Sequence, residues 1–321
     1  MTQTNSLTPV HFFSHGSTMM LGEESASANY WKKCGDAALA NGIKHVVMMG
    51  AHWATLGDEI EVAANPSPAK SPVAYVEPSK FMPYKLNPDI PMASRCVEML
   101  KKGSLKAKLN EKFDWIHDTY LILIRMFPNG CPPTTIISIN ARYDSHYHVK
   151  VGAALRLRSE DVLFIGTGGA VHNLYRNNWF QMLRYRVNNF AMESPPDSTM
   201  LDFCQEFEDA ITKNSGPDLK RAMTMLMKVP KYYDAHSTDD HFMAAMFVAG
   251  LCGSVEDMGT PAELGAEDWE LGICVITDYV LLLSARGYDA YGLEISSKAS
   301  EEAKKVKGEM EADMEMRTKS L

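Results

Sequence analysis

The chain has 321 residues, a formal net charge of −8, 45% hydrophobic residues and 22% charged residues. This composition is close to that of folded soluble proteins and excludes a chain that is disordered throughout. Because the chain is acidic and has no block rich in Lys or Arg, we expect no nucleic acid among its partners. No apolar run approaches the ~18–20 residues of a membrane span, and the first residues do not resemble a signal peptide. We therefore expect a cytoplasmic protein without a membrane partner.

Short apolar runs alternate with amphipathic segments over the first part of the chain. Runs rich in Val, Ile, Phe and Met, each too short for a helix, predict buried strands at Val10–Phe13, Ile43–Met49, Thr135–Ile139 and Val162–Ile165. Apolar residues spaced three and four apart predict helices over Tyr30–Asn41, Met92–Lys102, Tyr147–Leu157 and Trp179–Ala191. This alternation predicts an α/β domain in which a central mixed β-sheet is flanked by helices.

The second half of the chain is more helical. Periodic apolar residues predict helices over Met200–Thr212, Asp218–Lys228 and Thr238–Leu251, the last capped by Ser237 or Thr238. The apolar run Trp269–Leu283 predicts one or two closing strands, with an interruption at Asp278.

Two segments fall outside this regular pattern. Prolines interrupt residues 65–91, which predicts an extended loop of the kind that often covers an active site. Residues 296–321 carry charges of both signs and few apolar residues, which predicts a tail that is helical or disordered. We therefore assign residues 1–295 to a single domain and residues 296–321 to the tail.

Three histidines directly follow predicted strands. His15 lies in FFSHGS, His52 in GAHW and His172 in GTGGAVHNL. The carboxyl ends of parallel strands meet at one edge of a sheet, where open α/β proteins bind their ligands. We therefore expect these three imidazoles to converge on an active site at that edge.

A fourth histidine, His241, lies in the first turn of a predicted helix. The positive end of the helix dipole disfavours the protonated ring and keeps it in the neutral form that binds metals. His236 is the alternative for the same role, and Asp239 and Asp240 are interpreted as partners of the dipole or acceptors for a ligand. Histidine ligands without thiolate are typical of catalytic Fe(II), Mn(II) or Zn(II) sites.

The remaining histidines have weaker signals. His117 precedes an apolar helix and is either an acid near the site or a structural loop residue. His11 and His45 lie within strands and are interpreted as structural, whereas His146 and His148 form a His-x-His pair that we expect on the surface.

Five segments, taken in order, resemble one known family. They are SHGS at residue 15, GAHW at residue 52, the His-x-x-Tyr segment that leads into RMFP, GGAVHNL, and TDDHF. Together they resemble the LigB-type class III extradiol ring-cleavage dioxygenases, and the most similar branch is that of the DOPA 4,5-dioxygenase-like enzymes. The resemblance covers roughly residues 10–285.

The resemblance implies a ligand set and a reaction. His15, His52 and His241 would bind a non-haem Fe(II), His172 would act as general base and acid, and His117 would assist near the substrate or dioxygen. The implied reaction opens the ring of a catechol-type diol with O2 and gives a ring-opened semialdehyde. The implied partners are a small aromatic diol and O2, for a monomer or homo-oligomer, and purified protein could carry Zn(II) instead of Fe(II).

The chain departs from the family pattern beside His117. The FDHG sequence of the family is WIHD here, so that Asp118 stands where the family has glycine. We name Trp53, Tyr120 and Tyr84 as candidate residues of the substrate wall. A Zn(II)-dependent hydrolase and a non-catalytic metal-binding protein on the same scaffold are the alternative hypotheses.

Overall fold

The computed structural model describes residues 8–157, 161–177, 179–185, 190, 196–270 and 274–281. Within these ranges, eight strands form one sheet in the order β4-β3-β5-β2-β6-β1-β8-β7. The strands are β1 (Val10–Ser14), β2 (His45–Thr55), β3 (Glu59–Ala63), β4 (Lys106–Asn110), β5 (Thr134–Asn140), β6 (Val162–Gly168), β7 (Ala262–Glu270) and β8 (Cys274–Leu281).

The sheet is mixed, as predicted. Strands β5, β2, β6 and β1 run parallel to one another in the centre, and β3 and β4 also pair in parallel. The pairs β1–β8, β7–β8 and β3–β5 are antiparallel. The carboxyl ends of β1, β2 and β6 therefore lie side by side at one edge.

Nine helices surround the sheet in the described part of the chain. They are α1 (Ala26–Ala40), α2 (Ile90–Lys102), α3 (His117–Met126), α4 (Ser145–Ala154), α5 (Trp179–Tyr185), α6 (Ser198–Thr212), α7 (Gly216–Leu226), α8 (Lys231–Ala235) and α9 (Asp240–Leu251). None of the described helices is long and apolar enough to cross a membrane.

Helices cover both faces of the sheet. Phe12 of β1 packs against Phe207 of α6, whereas the next residue, Phe13, packs against Tyr30 and Trp31 of α1. Successive side chains of a strand point to opposite faces, so α6 and α1 cover opposite sides. This confirms the predicted α/β domain with helices flanking a central sheet.

Several predicted boundaries are wrong. β2 continues past Met49 to Thr55, so His52 lies within the strand, inside the stretch from Met49 to Ala54 where the pairing of β2 with β5 shifts register. The predicted interruption at Asp278 is wrong, because Asp278 lies within β8 and pairs with both Phe13 and Ala266.

Two features near the predicted helix ends also differ from the expectation. Asp239, rather than Ser237 or Thr238, is the N-cap residue of α9, because the Thr238 hydroxyl donates its hydrogen bond to Asp240. His148 is buried rather than at the surface, since its Nε2 accepts from the Asn140 N–H at 3.0 Å and its Nδ1 donates to the Asp144 carbonyl at 2.7 Å.

Some expectations fall on residues outside the described ranges. The predicted helix Trp179–Ala191 is described only as far as Tyr185. The predicted tail, 296–321, and the domain boundary at residue 295 lie wholly outside the described residues.

Helix α9 is buried from His241 to Leu251 and packs against α4 and the centre of the sheet. Two glycines allow α4 and α9 to approach closely. A Cβ at Gly152 would lie 2.0 Å from the Phe247 carbonyl oxygen, and a Cβ at Gly250 would lie 2.1 Å from the Val149 carbonyl oxygen. The position of α9, and therefore of His241, depends on the absence of a Cβ at Gly152 and at Gly250.

We expect Gly152→Ala to lower the free energy of unfolding by about 1–3 kcal/mol, because the added methyl group overpacks the contact between α4 and α9. In an ordinary helix the same change would increase stability by up to about 1 kcal/mol. Chemical denaturation measures the difference. The matched control is Ala153→Gly at the exposed neighbouring position, which should cost only the ordinary propensity, about 1 kcal/mol. A Gly152→Ala protein as stable as the wild type would contradict the close approach.

Candidate metal centre

Five histidines meet at the carboxyl edge of the central strands. His15 directly follows β1, and its N–H donates to the Gly168 carbonyl at the end of β6 at 3.0 Å. His52 lies in the last part of β2, His117 is the first residue of α3, and His241 is the second residue of α9. The fifth, His172, lies in the loop after β6. The structure thus places the five predicted site histidines together.

Three of these histidines surround one point. The ring nitrogens that His15, His52 and His241 can offer lie within 4.8 Å of one another. The ring centroids are 5.2 Å apart for His15 and His52, 5.0 Å for His15 and His241, and 4.9 Å for His52 and His241. In the described part of the chain, no other set of His, Cys, Asp and Glu side chains has this geometry.

The hydrogen bonds of the two buried rings indicate which nitrogen is free. Nδ1 of His15 donates to the Gly16 carbonyl at 2.8 Å, and Nδ1 of His241 donates to the Asp240 carboxylate at 3.0 Å. These acceptors assign the proton to Nδ1 and leave the lone pair on Nε2. Nε2 of His15 and Nε2 of His241 are both buried without a hydrogen-bond partner. Because buried polar atoms are normally satisfied, the two lone pairs fit a metal ion.

The surroundings of His15 keep its ring in the form that binds metal. Burial and the neighbouring imidazoles lower the pKa of His15 well below its ordinary value. His15 and His241 are buried, whereas His52 is exposed on the open side of the group. A neutral imidazole is required for coordination, so protons do not compete with a metal for His15 at neutral pH.

Asp240 holds the ring of His241. Its carboxylate accepts from both the N–H and Nδ1 of His241 and from the Thr238 hydroxyl. Burial would raise the pKa of this carboxyl, but the hydrogen bonds from His241 and Thr238 lower it below its ordinary value. A carboxylate on the far nitrogen fixes the tautomer and orientation of a metal ligand. The neighbouring Asp239 instead accepts from the Tyr232 hydroxyl.

His172 and His117 lie beside the group of three. The His172 ring stacks on His241 with centroids 3.5 Å apart and an angle of 13° between the planes. The His117 ring lies 4.5 Å from His52 and 5.9 Å from His15. Burial lowers the pKa of His172 and that of His117 below the ordinary value, so both rings are neutral at neutral pH. Neutral rings at these positions can accept or relay protons.

His236, the alternative ligand, lies in a different environment. Its ring stacks on Tyr232 and contacts the edges of Phe203 and Phe242. Its Nε2 lies 3.2 Å from the Gly169 carbonyl oxygen. The ring therefore belongs to an aromatic cluster beneath the site and is not one of the three that surround the common point.

One residue of the site carried no signal in the sequence. Glu270 is buried at the end of β7, and its carboxylate accepts from both the N–H and the hydroxyl of Ser17. This pair holds the loop that follows His15. The two residues are 253 positions apart, so no local pattern could have joined them.

The three candidate substrate-wall residues lie in different surroundings in the structure. Tyr120 is fully buried and its hydroxyl donates to the Ser71 carbonyl. The Tyr84 hydroxyl lies 3.1 Å and 2.9 Å from two carbonyl oxygens at the end of α3. The hydrogen bonds of both tyrosines therefore connect the loop of residues 65–91 to α3. Trp53, next to His52, stacks on Phe113 at 3.7 Å and is partly exposed.

Fold and site together define an α/β protein with a three-histidine centre at the carboxyl edge of a mixed sheet. Comparison with known proteins identifies the family. The model of the catalytic LigB subunit of aromatic ring-opening dioxygenase matches residues 9–270. The chain belongs to this LigB family of extradiol ring-cleaving dioxygenases.

Two relatives that are named as extradiol dioxygenases agree with this family assignment. A 4,5-DOPA dioxygenase extradiol of Portulaca grandiflora is 32% identical over 281 residues, which cover 84% of this chain and 93% of the relative. A protein of the same name from Escherichia coli K12 is 22% identical over 260 residues, 79% of this chain and 89% of the relative. An uncharacterized E. coli K12 protein of known structure has the same fold, with a TM-score of 0.66 and 20% identity over 85% of this chain and 99% of that one.

We expect His241→Ala to weaken Zn(II) binding by more than about 100-fold. Loss of a residue that is hydrogen-bonded to a ligand lowers metal affinity by roughly 10–100-fold, and loss of the ligand itself should lower it further. His236→Ala is the matched control and should retain the affinity, since its ring lies in the aromatic cluster. Competition with a chromophoric chelator measures both constants. Wild-type affinity in His241→Ala, or its loss in His236→Ala, would show that the third ligand is assigned wrongly.

Proposed function

We propose that the protein is an Fe(II)-dependent extradiol dioxygenase that opens the ring of a catechol-type diol with O2 to give a semialdehyde. The observation that carries the proposal is the pair of buried, unpaired Nε2 atoms of His15 and His241, which converge with the exposed ring of His52. Membership of the LigB family supports the reaction.

The donor set suits the proposed metal. Three neutral imidazoles with an exposed side are typical of a site that leaves positions open for substrate. When bound, Fe(II) supplies the electron transfer that allows an aromatic diol to react with dioxygen. Zn(II) would bind the same nitrogens without supplying that chemistry, which is how purified protein could be occupied but inactive. Since the ligands carry no charge, they leave the positive charge of the ion available to attract an anionic diol.

His172 is our candidate for the proton-transfer residue. Its ring lies against His241, and its main chain is fixed by hydrogen bonds with Ala235 and Ser237. A diol held beside His241 would therefore meet an imidazole whose position is set in advance. We propose that the ring accepts a hydroxyl proton from the diol and later returns it to the opened product.

His117 and Trp53 complete the proposed site. His117 begins α3 and lies beside His52, on the exposed side of the three ligands, where it would contact the substrate or dioxygen. Trp53 follows His52 in the chain and is held flat against Phe113, which gives a rigid aromatic surface. We propose this surface as one wall of the substrate site.

The relatives guide the choice of substrate. The matching enzymes from Portulaca grandiflora and E. coli are named for 4,5-DOPA cleavage. We include DOPA among the candidate catechols. The WIHD sequence places the charged residue Asp118 beside His117, where the family has glycine, so we expect the preference among ring substituents to differ from that of the relatives.

The proposal includes a cytoplasmic location. Cys96 and Cys131 are buried free thiols. Buried thiols of this kind are typical of a reducing compartment.

The test is anaerobic loading with Fe(II), followed by measurement of oxygen uptake and visible absorbance with a panel of catechols that includes DOPA. We expect uptake and a new absorbance band with at least one diol, and none with the Zn(II)-loaded protein. We expect His172→Ala to retain the metal and lose about 10²–10⁴-fold in turnover, as for other general bases. His146→Ala, at an exposed position on α4, is the control and should behave as the wild type. Absence of uptake with every diol, together with hydrolysis of an ester or amide in Zn(II) alone, would replace the proposal with the hydrolase hypothesis.

A further inference from the structure

Asp118 carries a buried carboxylate that belongs neither to the three candidate metal ligands nor to the proposed proton transfer. It directly follows His117 and is 1% exposed. Its Oδ2 accepts a hydrogen bond from the main-chain N–H of His52 at 2.9 Å. The carboxylate therefore contacts the backbone that carries one of the three candidate ligands, from a different element of the fold.

The backbone of β2 is shaped to receive this carboxylate. A Cβ at Gly50 would lie 2.2 Å from Oδ2 and 2.8 Å from Cγ of Asp118. Any side chain at position 50 would therefore expel the carboxylate from its place. The Asp118 carboxylate therefore occupies the space that the missing side chain of Gly50 leaves open.

The irregular pairing of β2 explains why an acceptor is needed there. Its register with β6 ends at Met49, and its register with β5 shifts between Met49 and Ala54. His52 lies inside this irregular stretch, where the ladder does not supply a regular partner for its N–H. Such a stretch needs another acceptor to hold one conformation. Oδ2 of Asp118 is that acceptor.

Asp118 is itself held in place. Its main-chain carbonyl accepts from the buried Thr167 hydroxyl on β6 at 2.6 Å. The next residue of β6, Gly168, accepts the N–H of His15. Asp118 thus connects the start of α3 with β2 and β6, the two strands whose ends position His52 and His15.

We propose that Asp118 is a positioning residue for the metal centre: its carboxylate fixes the irregular part of β2 so that His52 presents its ring beside His15 and His241. The inference rests on the metal centre of the proposed function but does not depend on the reaction that follows. It gives a structural role to Asp118, which occupies the position where the family has glycine.

The test compares Asp118→Ala with Asp118→Asn. Alanine leaves the His52 N–H without its acceptor, so we expect Zn(II) affinity to fall by about 10–100-fold. Asparagine keeps a carbonyl oxygen at the same distance, so its affinity should be at least roughly fivefold higher than that of the alanine variant. Asp36→Asn removes an exposed carboxylate on α1 and is the control for net charge; it should bind as the wild type. Chelator competition measures the affinities, without any catechol or oxygen.

The visible spectrum of the Co(II)-loaded protein gives a second measurement. We expect the bands of Asp118→Asn to match those of the wild type and the bands of Asp118→Ala to differ, since only the alanine variant frees the His52 backbone. Equal affinity of the alanine variant and the wild type would overturn the proposal, and so would equal losses in both variants. Should Asp118→Ala fail to fold, Asp118→Asn decides: retained Co(II) bands support the positioning role, and their loss contradicts it. Failure of ring cleavage alone leaves these measurements valid.

Discussion

Two buried imidazole nitrogens without hydrogen-bond partners are the constraint on which the site depends. Nε2 of His15 and Nε2 of His241 have lost contact with water, and their Nδ1 atoms are already engaged by Gly16 and Asp240. Leaving a buried acceptor unsatisfied costs about 1–3 kcal/mol for each atom. A cation between the rings would accept both lone pairs and recover this cost.

The scaffold brings these nitrogens together from distant parts of the sequence. His15 is placed by the end of β1, and His241 by the first turn of α9, a helix that is apolar on all sides and therefore buried. The helix reaches the sheet because glycines lie where it crosses its neighbours: a Cβ at Gly168 would lie 2.0 Å from the His241 carbonyl oxygen. The packing that buries the core is thus the same packing that sets the distance between the His15 and His241 rings.

The parts of the fold with strong local signals were predictable. The runs that became β1, β5 and β6 are continuous and apolar, as buried parallel strands require, and their carboxyl ends located His15 and His172. Strands β3 and β4 were missed because they are five residues long and carry charged residues at alternate positions, which is typical of strands near an exposed edge.

The details that orient the ligands could not be read from the sequence. The choice between His236 and His241 depends on which ring faces the sheet edge, and both lie close together beside the same helix end. The contacts of Asp118 with His52 and of Glu270 with Ser17 join residues 66 and 253 positions apart. Such contacts follow from tertiary packing, so local patterns mark the residue types without showing what they hold.

The most direct test of this account is a crystal structure of the metal-loaded protein, with the ion located by its anomalous scattering. The account predicts one ion bonded to the ring nitrogens of His15, His52 and His241, with metal–nitrogen distances of about 2.0–2.1 Å if the ion is Zn(II). It also predicts that the His172 and His117 rings lie beside the ion without binding it. An ion bonded to His236 or His172 in place of any of the three, or located elsewhere in the protein, would contradict it.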